Sequence, residues 1–186
     1  MDQRIIKTKN NLYKGLLLTM KNKPFEKITV SDICKEANTN RSTFYNNFND
    51  KYDLLSVLVN DLEEELKQKL SQNEVPINIK EYYINLISLL LEHINENIDT
   101  YSLVIKYNNN NNNIASNIFH DTILKNITEN IENHPLYNEE IPSEIITIFY
   151  VNGVISICLK YIKNPKKYTK DSILKYISKL IPDNLC

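Results

Sequence analysis

The sequence predicts an all-α protein, and three observations carry that reading. Only 2 of its 186 residues are Gly, too few for architectures built on hairpin turns, bulges or Gly-rich phosphate loops. Apolar residues recur every three to four positions along most of the chain, the spacing of one buried helix face. Hydrophobic residues make up 42% and charged residues 24%, with a formal net charge of −1; that balance suits a globular chain and not a disordered one. Asn, Ile and Lys number 28, 26 and 20, a bias of the kind an AT-rich coding sequence leaves, so an Asn alone says little.

The first helix is marked by Ile5, Leu12, Tyr13, Leu16, Leu17 and Met20, and Pro24 stops it. Thr29 with Asp32 three residues on is a weaker form of the capping box, opening a short helix that turns Ile33 and Ala37 inward. Asn38 stands where that helix needs a left-handed residue to end it, a conformation that Asn tolerates. Asn40 then caps another short helix, Arg41–Asn47, with Phe44 and Phe48 as an i,i+4 apolar pair. A long helix begins after Asp50 and carries Leu54, Leu55, Leu58, Leu62, Leu66 and Leu70, with Glu63, Glu64, Glu65, Lys67 and Lys69 on its wet side. Beyond Pro76, helices are expected at roughly 79–97, from near Thr100, and at about 114–133; the low-complexity run 108–113 reads as a loop, and His134-Pro135 breaks the third of these helices.

Residues 145–162 are different in kind: 13 of the 18 are apolar and none between Glu144 and Lys160 is charged. A membrane span is the obvious challenger, but Thr147, Asn152, Gly153 and Ser156 interrupt a stretch barely long enough to cross. The expectation is therefore a helix buried on two sides, followed by a terminal amphipathic helix at about 170–180. The opening MDQRIIKTKN has no apolar stretch of signal-peptide length. Cys34, Cys158 and Cys186 are widely spaced and odd in number, which suits free thiols in a reducing cytoplasm.

Charge is divided along the chain. Residues 1–55 sum to +4 and residues 56–186 to −5, which suggests a small anion-binding module, 1–50, ahead of an acidic body, 51–186. Two short helices joined by a tight turn, the second rich in basic, hydroxyl and amide side chains, form the pattern of a helix-turn-helix reader of double-stranded DNA. The stretch FEKITVSDICKEANTNRSTFYNNFNDKYDLL, Phe25 to Leu55, resembles the DNA-binding region of the TetR family of bacterial transcription regulators. The resemblance rests on Phe25, Ile28-Thr29-Val30, Ile33, Ala37, Thr43-Phe44-Tyr45, Phe48 and Lys51, with Asn38 where the family usually has Gly. Toward the C-terminus, FYVNGVISICLKYIKNP at 149–165 and the terminal helix resemble the dimerising helix pair of part of that family. The resemblance implies an N-terminal three-helix domain joined by a long helix to a larger helical domain for ligand binding and dimerisation.

Arg41, Ser42, Thr43, Asn46 and Asn47 lie on the helix that would enter the major groove. There Arg can be bidentate to guanine and Asn to adenine, and Ser or Thr can serve base or phosphate. By resemblance Tyr45 and Lys51 are phosphate contacts, and Thr29, at a helix start, can offer its hydroxyl and free N–H groups to another phosphate. Outside this motif Arg41 and Lys51 would read as ordinary solvated charges. In the body, Tyr82, Tyr83, His93, Tyr101, Tyr107, Phe119 and His120 are candidates to line an effector pocket, although each residue type is as common in plain core. Candidates for a homodimer interface are Phe149, Gly153, Ser156, Ile157, Ile173 and Ile177.

His93, His120 and His134 share no i,i+4 pairing and have no Cys neighbour, so neither a metal site nor a cofactor is expected. Nor is there a Gly-rich phosphate loop, a nucleophile elbow or an HExxH, the marks by which an enzyme would be read. The function expected is a cytoplasmic regulator that binds a pseudo-palindromic operator as a homodimer and is released by a small molecule. An activator of the same family, or a helical interaction protein whose basic head binds a protein or an anionic surface, are the alternatives.

Overall fold

The computed structural model describes residues 3–71, 79–106 and 142–181. Every regular element among them is helical: α1 (Gln3–Asn22), a 3-10 turn (Phe25–Lys27), α2 (Val30–Glu36), α3 (Arg41–Tyr45), α4 (Lys51–Ser71), α5 (Ile79–Glu96), α6 (Ile98–Lys106), α7 (Ser143–Lys163) and α8 (Lys170–Leu180). The candidate helix at 114–133, the run 108–113, Tyr107, Phe119, His120, His134 and Cys186 lie outside the described residues.

α1, α2 and α3 form a small head around Leu12, Leu16, Met20, Ile33 and Phe44, all 0–1% exposed. Gly15 sets how closely α1 and α2 cross: a Cβ there would lie 2.7 Å from the Ile33 carbonyl oxygen and 2.8 Å from the Ala37 Cβ. The capping box at the start of α2 is formed, with the Thr29 N–H donating to Asp32 Oδ2 (2.8 Å) and the Asp32 N–H donating to Thr29 Oγ1 (3.2 Å). Asn38 takes φ = 49°, the left-handed conformation that ends α2, and Asn40 Oδ1 accepts the Thr43 N–H (2.7 Å) to open α3.

α4 belongs to both halves. Its start packs Leu54 and Leu58 into the head, and its later turns carry Leu62, Leu66 and Leu70 into the body. α5 is the centre of the described body, packed against α4, α6, α7 and α8, with Leu86, Leu90, Leu91 and Ile94 almost fully buried. Polar links tie the halves together. Asp61 on α4 accepts from Lys9 Nζ (2.9 Å) and from the Tyr13 hydroxyl (2.8 Å) on α1, and Lys21 on α1 pairs with Asp99 on α6 (3.1 Å). The exposed Lys21 pair contributes little stability; its interest is in which helices it joins.

One expectation for the C-terminal helices is corrected by the packing within the chain. On α7, Val154, Ile155, Cys158, Tyr161 and Ile162 face inward, while Ile145, Ile148 and Phe149 are exposed, Phe149 by 73%. Ile173 and Ile177, expected at a dimer interface, are buried within the chain where α8 lies on α5, because they form the inner stripe of an amphipathic helix. The outward apolar residues of α8 are Tyr176 and Leu180. No helix among the described residues is long and apolar enough to cross a membrane.

Candidate nucleic-acid interface

α3 and its C-terminal turn present the head's outward polar face. Phe44 and Phe48 anchor it from beneath, their ring centroids 5.9 Å apart. Arg41, Ser42, Tyr45, Asn46 and Asn47 are exposed around them, and Thr43 is half-buried. The Arg41 guanidinium lies 5.8 Å from the centre of the Tyr45 ring, a cation–π contact that holds a long cation beside an exposed phenol. Asn47 donates one amide N–H back to the Thr43 carbonyl (2.7 Å), which fixes the side chain and leaves its oxygen and second N–H outward. Guanidinium, hydroxyls and amides on one convex ridge are the donors and acceptors that base edges and phosphates require.

Two of the expected phosphate contacts are engaged within the head. The Thr29 hydroxyl donates to Asp32 Oδ2 (2.8 Å), and Lys23 Nζ reaches the same carboxylate oxygen (2.7 Å). These bonds, the one from Lys23 foremost, hold the Asp32 carboxyl well below the usual carboxylate range. A phosphate approaching Thr29 therefore meets an ionised carboxylate and a hydroxyl already committed to it. Lys51 is engaged more completely: its ammonium donates to the carbonyl oxygens of Phe25 (2.9 Å), Glu26 (2.8 Å) and Ile28 (3.0 Å), which uses all three donors of an ammonium group. In this conformation Lys51 is thus bonded to the backbone that leads into α2.

In the body, the structure brings two pocket candidates together. His93 Nε2 and the Tyr101 hydroxyl are 2.9 Å apart, with His93 fully buried and its Nδ1 without a hydrogen-bond partner among the described residues. Burial, and then nearby Lys69, pull the His93 pKa down to about 4 against the opposing pull of Glu96, so the imidazole is neutral at neutral pH. Burial also raises Tyr101 above the ordinary phenol range and pushes Cys158 up to about 12. Tyr82 and Tyr83 are buried near the start of α5 with rings 5.5 Å apart, roughly 15 Å of helix from His93 at the α-helical rise. Gly15 and the Asp61–Tyr13–Lys9 cluster escaped the sequence reading; a Gly inside a strong helical pattern, in a chain with only two, was the available signal for the former.

Residues 19–58 match the family described as bacterial regulatory proteins, tetR family, and residues 81–183 match the family described as transcriptional regulator C-terminal region. None of the curated proteins compared matches the chain significantly. Among solved structures, a TetR-family transcriptional regulator from Syntrophomonas wolfei superposes with a TM-score of 0.75 at 20% identity, over 96% of this chain and 94% of that one. The regulator FadR from Bacillus subtilis, in complex with stearoyl-CoA, gives 0.67 at 15% identity over 94% and 96%. The dihydroxyacetone kinase operon activator DhaS gives 0.60 at 21% over 93% of each. With more than half of its length matched by the regulatory C-terminal family, and a helix-turn-helix head matched ahead of it, the chain belongs to the TetR family of transcriptional regulators.

Proposed function

We propose that the protein is a cytoplasmic repressor that binds a pseudo-palindromic operator as a homodimer and is released by a small molecule. The observation that carries the reading is the exposed ridge of Arg41, Ser42, Tyr45, Asn46 and Asn47 on a family-matched head. In this reading Arg41 takes a guanine edge and Asn46 or Asn47 an adenine edge, while Ser42 and Thr43 serve base or phosphate and Tyr45 a phosphate. Residues 1–50 act as the DNA-binding domain and 51–186 as the ligand-binding and dimerisation domain. The partner surface is the exposed apolar side of α7 and α8, namely Ile145, Ile148, Phe149, Tyr176 and Leu180, with Gly153 and Ser156 as small residues that permit close approach.

Release follows if an effector in the body changes the separation of the two heads. Two half-sites about one duplex turn apart, roughly 34–36 Å, require a fixed spacing. The bonds from α1 to Asp61 on α4 and to Asp99 on α6 give a body-side movement two routes to the head. A typical coupling of about 1–3 kcal/mol would shift operator affinity by about 5–150-fold. The buried His93–Tyr101 pair is the polar group an effector would meet in this reading. A second reading of the sign, activation, is favoured by the shared fold of DhaS, a protein named as an activator.

The test is selection of bound duplexes from genomic fragments, repeated with candidate ligands that include stearoyl-CoA because the FadR structure holds it. An enriched inverted repeat that one ligand depletes is expected, and transcription from that site with and without the protein assigns the sign. Failure to enrich any sequence at low salt would sink the DNA-binding reading and leave the helical interaction protein.

A further inference from the structure

Lys51 sits at the first residue of α4 and is half-buried. Its three acceptors belong to the 3-10 turn and the residue just after it, the segment that delivers the chain into α2. Its ammonium also lies against two aromatic rings, with Nζ 5.0 Å from the Phe25 centroid and 5.1 Å from that of Tyr52, and the two rings meet edge to face at 5.3 Å. The helix-turn-helix lies between these two attachment points, entered at residues 25–28 and left just before residue 51. An ammonium converging on three carbonyls therefore closes a bracket around α2 and α3. Carbonyls crowded at the end of a turn form a concentrated negative site, and a tetrahedral ammonium fits it where a planar guanidinium cannot converge three donors.

We propose that Lys51 is a positioning residue for DNA reading, holding the entrance of the helix-turn-helix to the start of α4 and so fixing the recognition helix against the body, with no direct phosphate contact. The proposal rests on the DNA-binding reading above. It separates cleanly from the alternative in which Lys51 swings out to a phosphate. A phosphate-bound Lys51 would leave its carbonyls on binding, would be replaced as well or better by Arg, and would add about one counterion, 0.9, to the salt slope. A positioning Lys51 keeps its carbonyls in the complex, is poorly replaced by Arg, and leaves the salt slope alone.

The experiment uses the full-length chain and a duplex recovered by selection from a random-sequence library. In the free protein and in the complex, NMR on 15N-lysine- and 13C-carbonyl-labelled protein is expected to show a slowly exchanging Lys51 ammonium coupled across hydrogen bonds to Phe25, Glu26 and Ile28. Lys51→Met and Lys51→Arg are each expected to lose affinity about tenfold, the scale of one charged hydrogen bond, with the salt slope unchanged. Disappearance of the couplings when duplex is added, a slope flattened by about one unit in Lys51→Met, or wild-type affinity in Lys51→Arg would each overturn the proposal. Lys51→Arg keeps the charge and the packing stem, so it decides the matter if Lys51→Met fails to fold. A wild-type chain that selects no duplex would overturn the DNA reading and the positioning role together, whereas wild-type affinity in Lys51→Arg overturns the positioning role alone.

Discussion

Arg41 rests against the Tyr45 ring at 5.8 Å and is exposed on the ridge proposed to face DNA. If it reads a guanine edge, Arg41→Ala should cost about 1–3 kcal/mol on the selected operator and relax preference at one base position. Binding titrations across single-base variants of the operator measure this; a uniform loss at every position would mean that Arg41 touches only phosphate. At this scale the sequence was legible where a side chain's role is local. The left-handed Asn38 and the caps Thr29 and Asn40 follow from what short polar side chains do to neighbouring backbone. It was ambiguous where one residue type serves two purposes. A Thr or a Lys that can bind a phosphate can equally satisfy backbone or a carboxylate, and the acceptors of Lys51 are carbonyls 23 to 26 residues earlier, groups to which no letter of the sequence corresponds.

Helix boundaries were legible because their punctuation is chemical: Pro24 after α1, the Asn40 cap before α3, and a charge-free stretch for α7. Sidedness was not legible for α7, since a helix apolar nearly all round does not declare which stripe meets its own chain. Close crossings were equally hidden. At Gly15 the α1 backbone lies against the backbone of α2, which cannot step aside as a flexible side chain could. Gly15→Ala should therefore destabilise the head by about 1–3 kcal/mol through overpacking, despite a helix-propensity gain of up to about 1 kcal/mol. Urea unfolding measures the balance, and an unchanged or raised midpoint would show that α1 and α2 have room to separate. Across the α5–α6 joint, the neutral His93 makes stability depend on pH. The unfolded chain takes up a proton below the ordinary 6.5, while the folded His93 resists protonation down to about 4, so its contribution is complete above 6.5 and is lost as pH falls toward 4. The slope approaches about 1.4 kcal/mol per pH unit in that window. Lys69 and Glu96 remain in a His93→Gln variant, so the difference between its pH–stability curve and the wild-type curve isolates the imidazole; parallel curves would mean that His93 is protonated in the fold without cost.

For the whole molecule, the decisive question is what covers the outward side of α7 and α8. Phe149 is 73% and Leu180 79% exposed, with Ile145, Ile148 and Tyr176 each about half exposed, so both helices carry large exposed apolar side chains of the kind that interaction sites use. Gly153 is also exposed, and a Cβ added there meets nothing within 4 Å among the described residues. The two environments of this residue can therefore be separated. Gly153→Leu puts its Cβ against none of the described residues and gains about 0.5–1 kcal/mol of helix propensity. Against a second copy at close approach, the same side chain overpacks by about 1–3 kcal/mol. The expected result is a variant whose thermal midpoint holds at concentrations where both proteins are monomeric, and whose dimer dissociates roughly ten- to a hundredfold more readily in sedimentation equilibrium. Operator affinity should fall with it, because a single head retains only one half-site. A Gly153→Leu chain that sediments as a dimer as tight as the wild type would move the partner surface elsewhere, and the exposed side of α7 and α8 would then need a different occupant.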